Sequence, residues 1–302
     1  MIESVFRSTK FIGFLAASTA AITYGLNPFF GIPLYQEGLT PFSVLFYRFS
    51  MAAILMGIVA ALRKAPFKLP KNCVFPTIFA GVLMALTCLF WFMAFKIMDS
   101  GISAALLFMY PVMVAIIMAV FFREKLSLST LIGMIMAVAG AVIICLPDSG
   151  AKVSIIGVIY IMLSALTYAI YIVAVKATKL REIRPETLTF YAMIFSLPVF
   201  LIFLRGGVDL QMLPSLKTFA NAACLAIFPS MLSFLMAAVA IRFIGPTKTA
   251  VLGALEPVTA VTAGICVFHE TITLKIVAGT LLILIAVTTV ICSNNNSTPK
   301  KV

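Results

Sequence analysis

Long apolar runs alternate with short polar or charged segments along nearly the whole chain. Most runs approach the about 20 residues that an α-helix needs to cross a bilayer core of roughly 30 Å. A helix also satisfies its own backbone polar groups in lipid. The pattern predicts ten membrane-spanning helices, near residues 11–31, 41–62, 74–96, 100–122, 127–146, 154–176, 187–204, 217–241, 247–268 and 272–292. The polar residues 294–302 are expected to form a cytoplasmic tail.

The composition supports a membrane protein and excludes several other classes. Of the 302 residues, 63% are hydrophobic and only 11% are charged, whereas soluble domains are about 45–50% apolar and about 25% charged. A soluble enzyme, a disordered chain and a disulfide-rich secreted module are therefore excluded. The six cysteines stand in apolar sequence without CxxC or Cys/His spacing, so neither disulfides, nor a metal site, nor any cofactor is expected.

The basic residues divide by side once the ten spans are placed. One side of the bundle carries Arg7, Lys10, Arg63, Lys64, Lys68, Lys71, Arg123, Lys125, Lys176, Lys179, Arg181, Arg184, Arg242, Lys248, Lys300 and Lys301. The other side carries Lys96, Lys152, Arg205, Lys217 and Lys275. The positive-inside rule then predicts an integral plasma membrane protein, in a bacterial inner membrane, with both termini in the cytoplasm. Because topology accounts for the net charge of +12, no nucleic acid partner is expected.

The two halves of the chain repeat one another. A shift of 144 residues aligns the first spans of each half, and a shift of 146 aligns the later spans. The matched pairs include Gly13 with Gly157, Thr23 with Thr167, Tyr24 with Tyr168, Pro41 with Pro185, Pro111 with Pro257, Glu124 with Glu270, and Gly133 with Gly279. Each half holds five spans, so the halves insert in opposite orientations. We therefore predict an all-α integral membrane fold of ten transmembrane helices, arranged as two inverted five-helix repeats (1–150 and 151–293) around a central cavity.

Several motifs make the chain resemble the EamA-type permeases of the drug/metabolite transporter superfamily. They are Tyr24-Gly25, the segment 122–127 (FREKLS) followed by Gly133, its copy 268–273 (FHETIT) followed by Gly279, and Glu256-Pro257. The resemblance covers roughly residues 11–292. It implies a transporter, since members are mostly exporters or exchangers of amino acids and related metabolites. It also implies a cavity lined mainly by spans 1, 3, 4, 6, 8 and 9, with spans 5 and 10 to the side.

Two charged residues fall inside predicted spans. Arg48 lies about seven residues into the second span, where a charge is costly and usually faces a cavity or a partner. It is interpreted either as a cavity residue or as a structural side chain that reaches the headgroups. Glu256 is the only acid deep in a span, and Pro257 after it frees a backbone carbonyl. It is interpreted as a cavity carboxylate that binds a cationic group or carries a proton, or as a protonated side chain bonded to the backbone. Whether Arg48 and Glu256 pair stays open.

Polar and aromatic residues near these charges complete the candidate cavity. Tyr24 and Asn27 share one helix face, and Tyr168 and Tyr171 repeat that face in the second half. Both pairs are interpreted as cavity lining, with polar contacts between helices as the alternative. Further candidates are Tyr110, the repeat equivalent of Glu256, and the aromatic residues Trp91 and Phe95, which could instead be interface anchors. The candidate structural or hinge residues are Pro28, Pro111, Pro257, Glu124, Glu270, Gly133 and Gly279.

The leading functional hypothesis is a secondary transporter that exports a small metabolite, an amino acid or a related amphiphile, by alternating access. A sugar-phosphate or nucleotide-sugar antiporter is less well supported, because its site would need several inward basic groups. A membrane-embedded scaffold or channel is the alternative from another class. An enzyme is not predicted, since the chain has no GxSxG or HExxH motif. The expected partners are a small-molecule substrate, the lipid bilayer and protons, in a monomer or homodimer.

Overall fold

A computed structural model describes residues 2–94, 97, 103, 106–145, 154–259, 262 and 274–293. Phe95, Glu270 and the tail 294–302 lie outside these residues. The helices are α1 (Ile2–Gly25), α2 (Asn27–Gln36), α3 (Pro41–Leu62), α4 (Lys71–Ala94), α5 (Tyr110–Phe122), α6 (Leu128–Cys145), α7 (Ile155–Ala177), α8 (Pro185–Phe203), α9 (Leu216–Ile244), α10 (Pro246–Leu252) and α11 (Leu274–Ser293). Short 3₁₀ turns lie at Lys179–Glu182 and Arg205–Gly207. The described residues contain no strand.

The predicted all-α membrane fold of ten spans is confirmed. Five helices, α3, α4, α7, α8 and α9, are long and apolar enough to cross a bilayer by themselves, and shorter apolar helices accompany them. The second span was predicted at 41–62, and α3 has the same bounds. The first predicted span is divided between α1 and α2, and the ninth begins as the short helix α10.

Local side-chain chemistry fixes many of the helix ends. The hydroxyl of Thr40 accepts from the backbone N–H of Ser43 at the start of α3 (3.4 Å), and Ser154 and Ser215 cap α7 and α9 in the same way. Hydroxyls at this position satisfy N–H groups that have no partner within the helix. At the other end of α9, Gly245 adopts a φ of 86°, a left-handed conformation that favours glycine.

Glu124, in the turn between α5 and α6, bonds to the second half of the chain. Its carboxylate accepts from the Thr247 hydroxyl of α10 at 3.4 Å. The N–H of Thr130 in the first turn of α6 is instead satisfied by the Ser127 hydroxyl at 3.1 Å. Glu124 thus connects the end of the first half to α10 of the second half, while a serine caps the helix.

The fifth span of each half packs against its counterpart, α6 against α11. Glycines allow the close approach, because a Cβ built at Gly133 would lie 2.5 Å from Val290 Cγ2. A Cβ at Gly140 would lie 2.8 Å from the carbonyl oxygen of Gly279. Small residues at such interfaces are typical of membrane helix pairs. Gly133 and Gly279 therefore both lie where the two halves meet.

The two halves also interlock through their first and third spans. α1 packs against the second part of α9, and α4 packs against α7. These two helix pairs correspond to one another in the repeat, because α7 is the counterpart of α1 and α9 is the counterpart of α4. The first span of each half therefore packs against the third span of the other half. The candidate site lies where these two helix pairs converge.

Candidate functional site

Three spans are broken near the middle of the molecule. The helix stops at Leu26 between α1 and α2, at 108–109 before α5, and at 253–254 after α10. A proline follows each break within a few residues: Pro28, Pro111 and Pro257. Proline lacks an N–H and clashes with the carbonyl four residues earlier, but it fits the first turn of a new helix.

The sixth span supports this explanation of the breaks. It is the repeat counterpart of the first span, but Ile172 stands at the position equivalent to Pro28. The helix α7 accordingly runs without interruption. The break at Leu26 therefore accompanies Pro28 and makes the two halves unequal around the centre, whereas the breaks before Pro111 and Pro257 fall at matched positions of the repeat.

Two repeat counterparts touch at the centre. The Tyr110 hydroxyl donates to Glu256 Oε1 at 3.2 Å, and these residues are 146 positions apart, which is the repeat shift. Residues related by an approximate twofold axis can contact each other only near that axis. The rings of Tyr24 and Tyr168, also repeat counterparts, stack with centroids 6.3 Å apart. The local axis that relates the halves therefore passes through these two pairs.

Five buried side chains form what we call the aromatic centre. They are Tyr24, Trp91, Tyr110, Tyr168 and Tyr171. Tyr24 stacks on Trp91 at 5.6 Å and on Tyr168, while Tyr168 contacts Tyr110 at 4.8 Å and Tyr171 at 6.3 Å. Such ring pairs add to the stability of burial by about 0.5–1.5 kcal/mol each. Trp91 thus lies inside the bundle, and Phe95 lies outside the described residues.

Small residues leave a crevice beside Glu256. Its cavity volume is about 10 Å³, enough for roughly one water molecule. The crevice is lined by Ala17, Ala20, Ala21, Tyr110, Tyr168, Ile172, Ser233, Ala237, Thr249, Gly253 and Glu256. Glu256 itself is half-buried and lines this crevice. In this conformation the crevice is too narrow for a metabolite.

Glycines bring backbone close to Glu256. A Cβ built at Gly25, the last residue of α1, would lie 2.5 Å from the carbonyl oxygen of Glu256. The position of a Cβ on Gly253 is already taken by the Tyr110 hydroxyl. The ends of α1 and α10 therefore meet at Glu256 because both carry a residue without a side chain.

Arg48 is completely buried on the other side of the aromatic centre. Its guanidinium donates to Asn27 Oδ1 at 2.8 Å, to the Pro229 carbonyl at 3.2 Å and to the Ser230 hydroxyl. The guanidinium carbon lies 5.9 Å from the Tyr24 ring centroid. Among the described residues, no carboxylate is within ion-pair distance of Arg48, so it does not pair with Glu256. Asn27 also donates to the Tyr24 carbonyl at 2.9 Å, which fixes the start of α2.

The partners of Arg48 in the second half were not predicted from the sequence. α9 contains a π-helical segment at Ile227–Leu232, a distortion often found at functional sites. The Pro229 carbonyl that accepts from Arg48 lies in this segment. A proline inside the eighth predicted span was the available signal, whereas Ser230 in an apolar span is not distinctive. Phe234, whose ring contacts Tyr24 and Tyr171, was also not predicted.

Comparison with known proteins agrees with this architecture. A family model described as the EamA-like transporter family matches twice, over residues 11–146 and 155–292. A protein from Archaeoglobus fulgidus named an uncharacterized transporter is 28% identical over 269 residues, covering 88% of this chain and 94% of its own. The uncharacterized transporter YvbV from Bacillus subtilis is 24% identical over 83% of this chain and 81% of its own. A solved crystal structure superposes with a TM-score of 0.80 at 17% identity, covering 96% of this chain and 99% of that one.

Proposed function

The chain belongs to the EamA-like transporter family, and from this premise we propose that it exports a small metabolite, an amino acid or a related amphiphile, by alternating access. One observation carries the proposal: the two halves meet at a half-buried carboxylate surrounded by aromatic rings. An acid inside a membrane bundle is expensive and usually functional. It would bind the ammonium group of the substrate, and the rings would hold its apolar part.

Alternating access is supported by the helix breaks around the site. Inverted repeats allow one half to rock against the other around a fixed central site. The interrupted helices near Leu26 and 253–254 end next to Glu256, so movement there would change the width of the crevice directly.

Proton coupling is a further part of the proposal. Glu256 is the described carboxylate that lines the crevice, and it receives a hydrogen bond from Tyr110. A carboxylate that exchanges a proton for a cationic substrate would link export to the proton gradient. Facilitated diffusion is the alternative, and it predicts transport that does not depend on pH.

A sugar-phosphate antiporter is less well supported, because the described interior of the bundle does not offer several basic side chains. Phosphate recognition needs several basic side chains. Arg48 is the fully buried basic residue of the described chain, and three of its five N–H groups already donate to Asn27, Pro229 and Ser230.

The export proposal is tested by comparing metabolites in the culture medium of cells that overexpress the protein with those of cells that lack it. We expect at least one amino acid or related amphiphile to accumulate in the medium only when the protein is present. If no species differs between the two cultures, the protein is not an exporter under those conditions and the proposal is rejected.

A further inference from the structure

A second cavity, of about 380 Å³, lies at the basic end of the bundle. Its walls are apolar and come from α7, the 3₁₀ turn, α8 and α9, with Val175, Leu188 and Ala238 as examples. Basic side chains from three of these elements stand at its rim. They are Lys176, Arg181 and Arg242, accompanied by the carboxylate of Glu182. We call this space the basic vestibule.

The three basic side chains of the vestibule are not neutralised by ion pairs. Among the described residues, Lys176, Arg181 and Arg242 form neither a hydrogen bond nor a salt bridge through their side chains. Other arginines behave differently: Arg63 and Arg184 at the same end both bond to Glu186, at 3.3 and 3.4 Å. The vestibule therefore keeps donors and positive charge available for a ligand.

Two residues of this cavity differ in chemistry from their repeat counterparts in the first half. Ala238 in its wall corresponds to Phe92 in the first half, and Arg181 at its rim corresponds to Glu37. Phe92 is 3% exposed and packs on Trp91 and Tyr35 with centroids 6.0 and 5.8 Å apart. An aromatic ring thus fills at one end the space that alanine leaves open at the other. The space at Ala238 and the charge of Arg181 therefore come from residues that break the repeat, whereas Arg242 corresponds to the basic residue Lys96.

We propose that the basic vestibule is a binding site for an organic anion, with one carboxylate or phosphate group and a short apolar body. Arg181 and Arg242 donate to the anionic group, since guanidinium groups match carboxylate and phosphate geometry. The apolar walls hold the hydrocarbon part, and the volume falls in the usual range for small-molecule pockets of about 300–1,000 Å³. The anion is either a soluble metabolite or the headgroup region of an anionic phospholipid. The proposal does not depend on export, because binding is measured without transport.

The experiment has two arms that separate these sources. In the first, the full protein in phosphatidylcholine nanodiscs is titrated with hexyl phosphate at constant ionic strength, with hexanol as the uncharged control. In the second, nanodiscs contain phosphatidylglycerol, and retained lipid is counted by native mass spectrometry. We expect saturable binding in at least one arm, weakened about tenfold or more in the double variant Arg181→Gln/Arg242→Gln, because charged hydrogen bonds are lost.

Lys179→Gln is the matched control, since Lys179 is an exposed basic residue of the same 3₁₀ turn that does not line the cavity. It should change the dissociation constant by less than about twofold, as expected for a screened surface charge. The proposal is overturned if neither anion binds saturably, if hexanol binds as tightly as hexyl phosphate, or if Lys179→Gln weakens binding as much as the double variant. Unchanged thermal unfolding of each variant shows that the fold is intact.

Discussion

At the scale of single residues, Arg48 shows how a full charge can be held inside an apolar bundle. Its guanidinium is bonded by an amide oxygen from the first half and by a carbonyl and a hydroxyl from the second half. The rings of Tyr24, Phe49 and Phe92 lie within 6 Å of it, where a cation is attracted to the aromatic face. Arg48 therefore connects the two halves on the side of the aromatic centre opposite to Glu256.

This arrangement predicts that Arg48→Lys is not conservative. An ammonium is a compact charge and cannot reach Asn27, Pro229 and Ser230 at once, whereas the planar guanidinium does. We expect the free energy of unfolding to fall by about 1–3 kcal/mol, because buried acceptors lose their donors. Thermal or chemical unfolding in detergent measures the change. Arg63→Lys is the control, since Arg63 is largely exposed and its single ion pair contributes about 0–1 kcal/mol. Equal unfolding of both variants would show that Arg48 has no such role.

The sequence predicts the residues of the site better than their contacts. Glu256 stands out as an acid deep in a span, and the repeat identifies Tyr110 as its counterpart. The hydrogen bond between them depends on where the twofold axis passes, and periodicity along one chain does not contain that information. Ser230 likewise becomes recognisable only when Arg48 is placed beside it. The contacts of the site are tertiary contacts, which depend on how the two halves pack against each other.

At the scale of helices, three breaks accompany prolines, but Pro76 and Pro198 lie inside uninterrupted helices, so proline alone does not predict a break. Pro28, Pro111 and Pro257 each mark a helix that stops a few residues earlier, for a local reason. The distortion at Ile227–Leu232 accompanies the bond from Arg48 to Pro229, so its cause lies partly in another helix. Span ends are also local, because Thr40, Ser154 and Ser215 cap the helices that follow them.

The second prediction concerns the side of the membrane on which each connection between helices lies. If the basic end is cytoplasmic, the segment after α8 is outside the cell, and its Met212 is 86% exposed. We expect a membrane-impermeant maleimide to label Met212→Cys in intact cells, and Lys179→Cys only after lysis. Wild-type protein gives the background from the native cysteines. The reverse labelling pattern would show that the termini face outward.

At the scale of the whole molecule, the two halves are similar in fold but unequal in the chemistry that they bring to the centre. The first half contributes Tyr110 and Arg48, where the second half has Glu256 and Ala192. The first span is broken and the sixth is continuous. A symmetric scaffold thus carries a basic residue from one half and an acidic residue from the other in its interior.

The central claim is that Glu256 binds the transported molecule, and flux through proteoliposomes tests it most directly. Uptake of a mixture of radiolabelled amino acids is measured at several pH values for wild type, Glu256→Gln and Glu37→Gln, with gel filtration as the check of folding. Glu37 is an exposed acid outside the crevice and serves as the control.

We predict saturable, pH-dependent uptake by wild type and by Glu37→Gln. In Glu256→Gln the rate of uptake should fall at least about tenfold, because a charged contact to the substrate is removed. The remaining uptake of this variant should no longer depend on pH. Absence of saturable uptake by wild type would contradict the proposed substrate class, and uptake by Glu256→Gln at the wild-type rate with an unchanged pH profile would contradict the role of Glu256.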